Sequence, residues 1–399
     1  MVRPYSHVEI MKKKYLFALA LAAVAAVHAA PYLPASGQQV IETLPRRGDP
    51  LQQELRRLRS ELNAKPNDLA LATTLAQRYI ALGRSETDPR YLGYAQAALA
   101  PWWWLSAPPT QVRLLRATLL QSTHQFPSAL ADLNAVLAAD PANAQAWLTR
   151  ATVLTVQGGY ADATASCARL SNLSTELVTV TCIANIGAVT GRALKSEQLL
   201  DLTLERSANA PATLQVWALT LLAEMAQRRD DRTIAEKYYK RALAMAPRDS
   251  YLLGAYADFL LEQQRPREVL AMLNNQTRID ALLLRRALAL QQLADQRQLL
   301  AADVKELAAR FDAAVQRGDT VHQREQARFE LMLRHDAATA LTLARKNWAV
   351  QKEPADIRIY LQAALKAGDA AKPVRDWVAL NHTEDAAATR LIAQLKAGT

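Results

Sequence analysis

The stretch AQAWLTRATVLTVQGGYADATASC, residues 144–167, decides the fold. Trp147, Ala151 and Leu154 follow one another at four- and three-residue spacing, which is one face of a helix. Gly158-Gly159 breaks that pattern, and a second periodic run starts at Tyr160 and carries Ala163 and Cys167. The unit repeats. Ala144 to Leu177 aligns without a gap on Thr110 to Asn143, at an offset of 34 residues. There Arg113, Ala117 and Leu120 stand for the first helix, His124 and Phe126 for the turn, and Ala129 and Leu133 for the second helix; Asp140-Pro141 closes the copy.

The pattern has a physical reason. Two antiparallel helices pack closely only where small side chains meet, and large apolar ones must then fill the gap to the next pair. A single hairpin leaves an apolar face open, so such units must stack. Further copies fit the period. One starts at Leu69 with Leu75-Ala76, Tyr79 and Gly83, followed by Ala95 and Leu99 after a short insertion. Another starts at Val216 with Leu222-Ala223, Ala235, Tyr239, Ala242 and Pro247, and another at Ser250 with Tyr256-Ala257 and Leu260. Between them, residues 177–211 keep the spacing through Ala184, Gly191 and Leu200. The Val-Thr-Val-Thr run at 178–181 has strand-like composition, but the repeat phase on either side makes it helix.

These residues resemble the tetratricopeptide repeat family. The resemblance covers residues 69–260 by motif and 281–397 by hairpin period alone, through the runs 281–293, 300–316, 324–334, 337–350, 355–366 and 371–380 and a closing helix at 386–396. It implies an all-α superhelical solenoid of stacked antiparallel hairpins. The expected organisation is a signal segment at 1–29, a linker at 30–50, a solenoid at 51–280 opened by a covering helix with a Leu51, Leu55, Leu58 and Leu62 stripe, and degenerate hairpins at 281–399.

Composition agrees. The chain has 399 residues, 50% of them hydrophobic, and only 12 glycines. That is ample for a core and too apolar for a disordered chain. Gly costs a helix interior about 1 kcal/mol and Ala and Leu cost it least, so a β-sandwich or a parallel-sheet enzyme is disfavoured.

The N-terminus reads as an export signal. Lys12-Lys13-Lys14 precede the apolar run Tyr15–Val27, and Val27-His28-Ala29 is a small-x-small cleavage pattern. The run is shorter than the roughly 20 residues of a spanning helix. Residues 1–10 fit a signal poorly, so Met11 competes with Met1 as the start. An exported, periplasmic chain is expected, without a lipid anchor because no Cys follows the apolar run. Net charge is +10 over the whole sequence, but residues 1–29 hold four basic side chains and one acidic, which leaves +7 for the rest. No dense basic run with interleaved aromatics appears, so nucleic acid is not an expected partner. Cys167 and Cys182, the chain's two cysteines, lie 15 residues apart across a helix–helix turn. They either bridge, as an oxidising compartment favours, or fill small core sites as free thiols.

Chemistry-bearing constellations are missing from the sequence. None of the six histidines has metal-ligand spacing, and no phosphate loop or nucleophile elbow is present. No metal, cofactor or catalytic residue is expected. In the tetratricopeptide family the first helix of each hairpin lines a concave groove. The resemblance therefore implies a partner-binding wall at Gln77, Thr118, Gln121, Gln145, Thr152, Thr155, Trp217, Thr220, Glu224, Tyr251 and Asp258. The Lys and Asn of a carboxylate clamp are absent there. A neutral wall rich in Thr and Gln suits a protein or extended peptide backbone. Trp102, Trp103 and Trp104 cannot all enter one core, so this patch is either a second contact or an apolar plug. Two other roles stand beside a peptide-binding scaffold: an envelope scaffold touching an anionic polymer or membrane surface, and a regulatory subunit of an enzyme complex.

Overall fold

The computed structural model describes residues 49–397 apart from Thr87, Thr320 and His322, together with Ser36 and Gln38. The signal segment, its cleavage site, the two candidate starts and nearly all of the linker lie outside the described residues. Contacts divide the chain into residues 1–54 and 55–399, and the second unit holds the helix stack.

Helix α1 (Pro50–Ala64) enters that unit through Leu55, Leu58 and Leu62, which are buried. Among the described residues nine hairpins follow. They are α2 (Leu69–Glu86) with α3 (Arg90–Ala98); then, after the short α4 (Ala100–Trp103), α5 (Thr110–Ser122) with α6 (Phe126–Ala139). Next come α7 (Ala144–Gln157) with α8 (Tyr160–Arg169), α9 (Glu176–Gly187) with α10 (Ala193–Arg206), and α11 (Ala212–Arg228) with α12 (Arg232–Met245). The last four are α13 (Ser250–Glu262) with α14 (Pro266–Leu273), α15 (Asp280–Gln291) with α16 (Arg297–Gln316), α17 (Gln323–Met332) with α18 (Ala337–Val350), and α19 (Pro354–Ala367) with α20 (Lys372–Leu380). Helix α21 (Ala386–Ala397) packs on α19 and ends the stack. The fold is all-α, in stacked hairpins.

The repeat chemistry is visible in the packing. The small residues at the crossings, Ala117 and Ala129, Ala151 and Ala163, Ala223 and Ala235, are fully or almost fully buried. Larger side chains such as Leu222, Tyr239, Leu260 and Leu283 link α9 through α17 into one continuous apolar cluster. Helix starts follow from local side chains: Asn143, Thr175, Asp231, Asp249 and Asp336 each accept the N–H three residues on. Thr175 thus starts α9, and residues 178–181 are helical. Thr179 and Thr181 donate their hydroxyls to the carbonyls of Thr175 and Leu177, within the helix.

The turn inside most of the hairpins uses a left-handed residue. Glycine fills it at Gly158 and Gly191, but His124, Asp230, Gln264 and His335 adopt positive φ in the corresponding turns. Those four lack the glycine that marks the turn in the sequence, yet the backbone bends the same way. A bridge joins Cys167 in α8 to Cys182 in α9, with Cα atoms 5.7 Å apart, so of the two readings left open above the structure takes the disulfide.

Candidate partner-binding surface

The first helices of successive hairpins, α2, α5, α7, α11 and α13, carry the residues expected to form the wall. Its two halves differ. In the first half Gln77 and Gln145 are exposed, and Gln121, Thr152 and Thr155 are half-buried. Thr118 is a correction: it is buried rather than groove-facing, and its hydroxyl donates to the Leu114 carbonyl. Thr152 and Thr155 donate likewise to Leu148 and Ala151, so their hydroxyls offer a partner acceptors more than donors.

The second half needs more correction. Thr220 is buried and bonded to the Val216 carbonyl. Trp217 is half-buried against the cluster that contains Cys167, Leu170 and Cys182, so its ring is spent on the neighbouring hairpin. Glu224 and Tyr251 come together, Asp258 stands two turns further along α13, and the two carboxyls make this half ionisable rather than neutral. Tyr251 donates to Glu224 at 2.6 Å. Asp258 accepts from Arg285 at 2.6 Å and from Arg328 of α17 at 2.7 Å. Tyr251 keeps 63% of its surface accessible. Yet the charge of Glu224, with desolvation and the charge of Glu353, pushes its phenol well above its ordinary pKa, against the opposing pull of Arg324.

Arg324 and Arg328 belong to the C-terminal hairpins, which curl back onto this half of the wall. Arg358 of α19 donates to Glu262 of α13 at 2.9 Å and to Asp385 at 2.9 Å. The same hairpins clasp the turns of earlier ones. The Lys352 N–H donates to the Val156 carbonyl at 2.8 Å. Trp377 packs on Tyr160 beside Gly158. Glu384 accepts the Ala193 N–H at 2.6 Å, the Thr383 hydroxyl donates to the Val189 carbonyl, and Arg390 pairs with Asp230 at 3.3 Å.

Electrostatics follow from this enclosure. Burial raises the Glu224 and Glu262 carboxyls despite nearby guanidiniums: Arg228, Arg358 and Arg324 for the first and Arg358 for the second. Burial also pushes Asp258 up, but Arg285 and Arg328 outweigh it and hold the carboxyl below its ordinary range. Asp356, in the first turn of α19, is raised to about 6, with burial the main cause.

The sequence reading missed this occupant. Part of the signal was present: Arg324 stands second in α17, the same place that Tyr251 and Gln145 hold in α13 and α7. Repeat-internal pairs were missed too. Arg116 pairs with Asp132 across one hairpin at 2.6 Å, and Arg150 bonds Ser166 in the corresponding place of the next. Of the tryptophans, Trp103 is buried at 8% exposure, Trp102 is half-buried and Trp104 is 87% exposed, so plug and exposed patch coexist in one tripeptide.

Among the described residues no three His, Cys, Asp or Glu side chains gather as they would around a metal ion, and no helix is long and apolar enough to cross a membrane. No family model matches the chain, and no curated protein matches it. Solved structures are similar at low identity. A tetratricopeptide repeat protein from Parabacteroides merdae ATCC 43184 is 14% identical, over 72% of this chain and 98% of that one, with a TM-score of 0.35. The human IFIT1 dimer with m7Gppp-AAAA is 13% identical, over 87% of this chain and 86% of that one, with a TM-score of 0.39. Superposition is loose, and the fold assignment rests on the hairpin order and packing described above.

Proposed function

We propose that this chain is an exported scaffold that binds a protein partner through the first half of its concave wall, without covalent chemistry. The observation that carries the reading is the division of the wall. Gln77, Gln121, Gln145, Thr152 and Thr155 keep amide and hydroxyl groups accessible on a preformed stack, whereas the α11–α13 half is filled from within. Amides both donate and accept, which fits the alternating groups of an extended peptide backbone. Export is supported by the leader pattern at 11–29 and by the pairing of both cysteines, which leaves no free thiol. The test is cross-linking of the chain in its own envelope, with mass-spectrometric identification of what it holds. A protein cross-linked at the α2–α7 wall is the expected result. Recovery of the chain alone, or of an anionic polymer with steep salt dependence, overturns the reading.

A further inference from the structure

The filled half of the wall shows what it accepts. Asp258 and Glu262 line α13, and the side chains that meet them from the C-terminal hairpins are arginines: Arg328 on Asp258 and Arg358 on Glu262. We propose that this half is a second recognition surface, for an arginine-bearing segment of a partner, and that α17 and α19 occupy it in cis. The inference deepens the scaffold reading and rests on it.

Three observations make the occupant displaceable. First, α18 through α21 pack on Ala327 and Leu331 of α17 in an apolar cluster built on Leu341, Ile357, Tyr360, Leu361 and Val374, while Phe329 holds α17 in the main cluster, so releasing the Arg328 and Arg358 side chains from the wall need not dismantle either core. Second, most of the contacts seen across the closure are polar: ion pairs and side-chain or backbone hydrogen bonds. Water replaces such groups on opening, so each holds weakly in net terms. The Arg390–Asp230 and Arg358–Glu262 pairs are moreover partly solvent-exposed. Third, the closed form carries a cost. Arg228 is 6% exposed, and its Nε and Nη2 have no hydrogen-bond partner among the described residues. Its charge acts on Tyr160, whose ring packs on Trp377 of the clasp. A buried guanidinium with unused donors is unfavourable. A solenoid can open by small rotations shared among its stacked hairpins, since each touches mainly its neighbours. A guanidinium on the partner would then take the place of Arg328 or Arg358, in the planar geometry that suits carboxylates.

The test uses the full chain and a labelled alanine-based peptide with arginines at four-residue spacing, with its lysine counterpart as control. The wild-type chain should bind the arginine peptide weakly. The Arg328→Ala/Arg358→Ala chain should bind it about tenfold more tightly, and adding Asp258→Asn and Glu262→Gln should remove that gain. In the wild-type chain, saturating peptide should also speed amide exchange at Lys352 and along α19 and α21; this readout needs no variant to fold. No gain in the opened chain, a gain that survives loss of Asp258 and Glu262, or peptide binding that leaves those amides unchanged overturns the inference. A partner cross-linked at Gln77–Thr155 while the arginine peptide is ignored would sink this proposal and leave the scaffold reading standing.

Discussion

Contacts between neighbouring hairpins and contacts between the C-terminal hairpins and the wall join helices by opposite chemistry. Along the stack, Leu222, Tyr239, Leu260 and Leu283 interlock in a dry cluster, and small alanines let the helices approach. Across the closure the bonds are Arg328–Asp258, Arg358–Glu262, Lys352–Val156 and Glu384–Ala193, with Trp377 on Tyr160 as an aromatic contact. Apolar burial removes area from water irreplaceably, whereas a polar contact is exchanged for hydration at small net cost. The stack should therefore hold its form while the closure opens.

That contrast can be broken or sharpened by experiment. The largest effect is expected inside the stack: Leu260→Ala should cost about 3 kcal/mol through lost burial and a residual cavity, seen as a lowered urea midpoint. A cost near zero would mean that the apolar cluster does not carry the stack. Replacing both Cys167 and Cys182 by Ala removes a bridge over 15 residues and should cost about 3 kcal/mol, the size expected for a loop of that length. The same shift should appear in the wild type on adding a reductant, and not in the variant.

At the closure, Gly158→Ala should cost roughly 1–2 kcal/mol, because φ is +81° there. An added Cβ would also lie 2.4 Å from the Trp377 ring, so the variant should speed exchange at the Lys352 amide while leaving α13 protected. The smallest effect is expected from Arg390→Ala, below about 0.5 kcal/mol, since both partners of its ion pair are largely exposed.

Acid separates two carboxyls, the buried Asp356 and the half-buried Asp258. Asp356 accepts from Asn347 and from the Glu353 N–H, with Arg324 nearby, yet burial raises it to about 6. Its folded pKa exceeds its unfolded value of about 3.9. The folded state therefore holds the proton longer, and stability at this site rises as pH falls from 7 through 6 toward 4. Asp258 is held below its ordinary value by Arg285 and Arg328. Its contribution is present above about pH 4 and lost as pH falls through the folded value. Amide exchange followed from pH 7 to pH 4, corrected for intrinsic rates, should slow in α19; in a Glu262→Gln chain, which lacks the raised carboxyl of α13, α13 should stay level. Faster exchange in α19 on acidification would reverse the sign assigned to Asp356.

Much of this was legible beforehand. The run 144–167 and its copy at 110–143 place α5 to α8 to within a residue or two, because a helical period and a breaker are local properties of the chain. The left-handed turns at His124, Asp230, Gln264 and His335 were less so, since the hairpin imposes on those residues a backbone that their own chemistry does not request. Register alone does not fix the exposure of a wall position. A position that points inward can still be buried, as Thr118 and Thr220 are, or turned onto the next hairpin, as Trp217 is.

By itself the sequence determined the helices, their pairing into hairpins and the stacking of those pairs, because 3.6-residue periodicity, small crossing residues and capping side chains all act within a few tens of residues. Only the tertiary structure decided that hairpins near residue 350 return to those near residue 160 and place Arg328 and Arg358 on Asp258 and Glu262. That return is the sum of small rotations between successive repeats. No single residue encodes the sum, and the contacts that close it join side chains as far apart in sequence as Ala193 and Glu384.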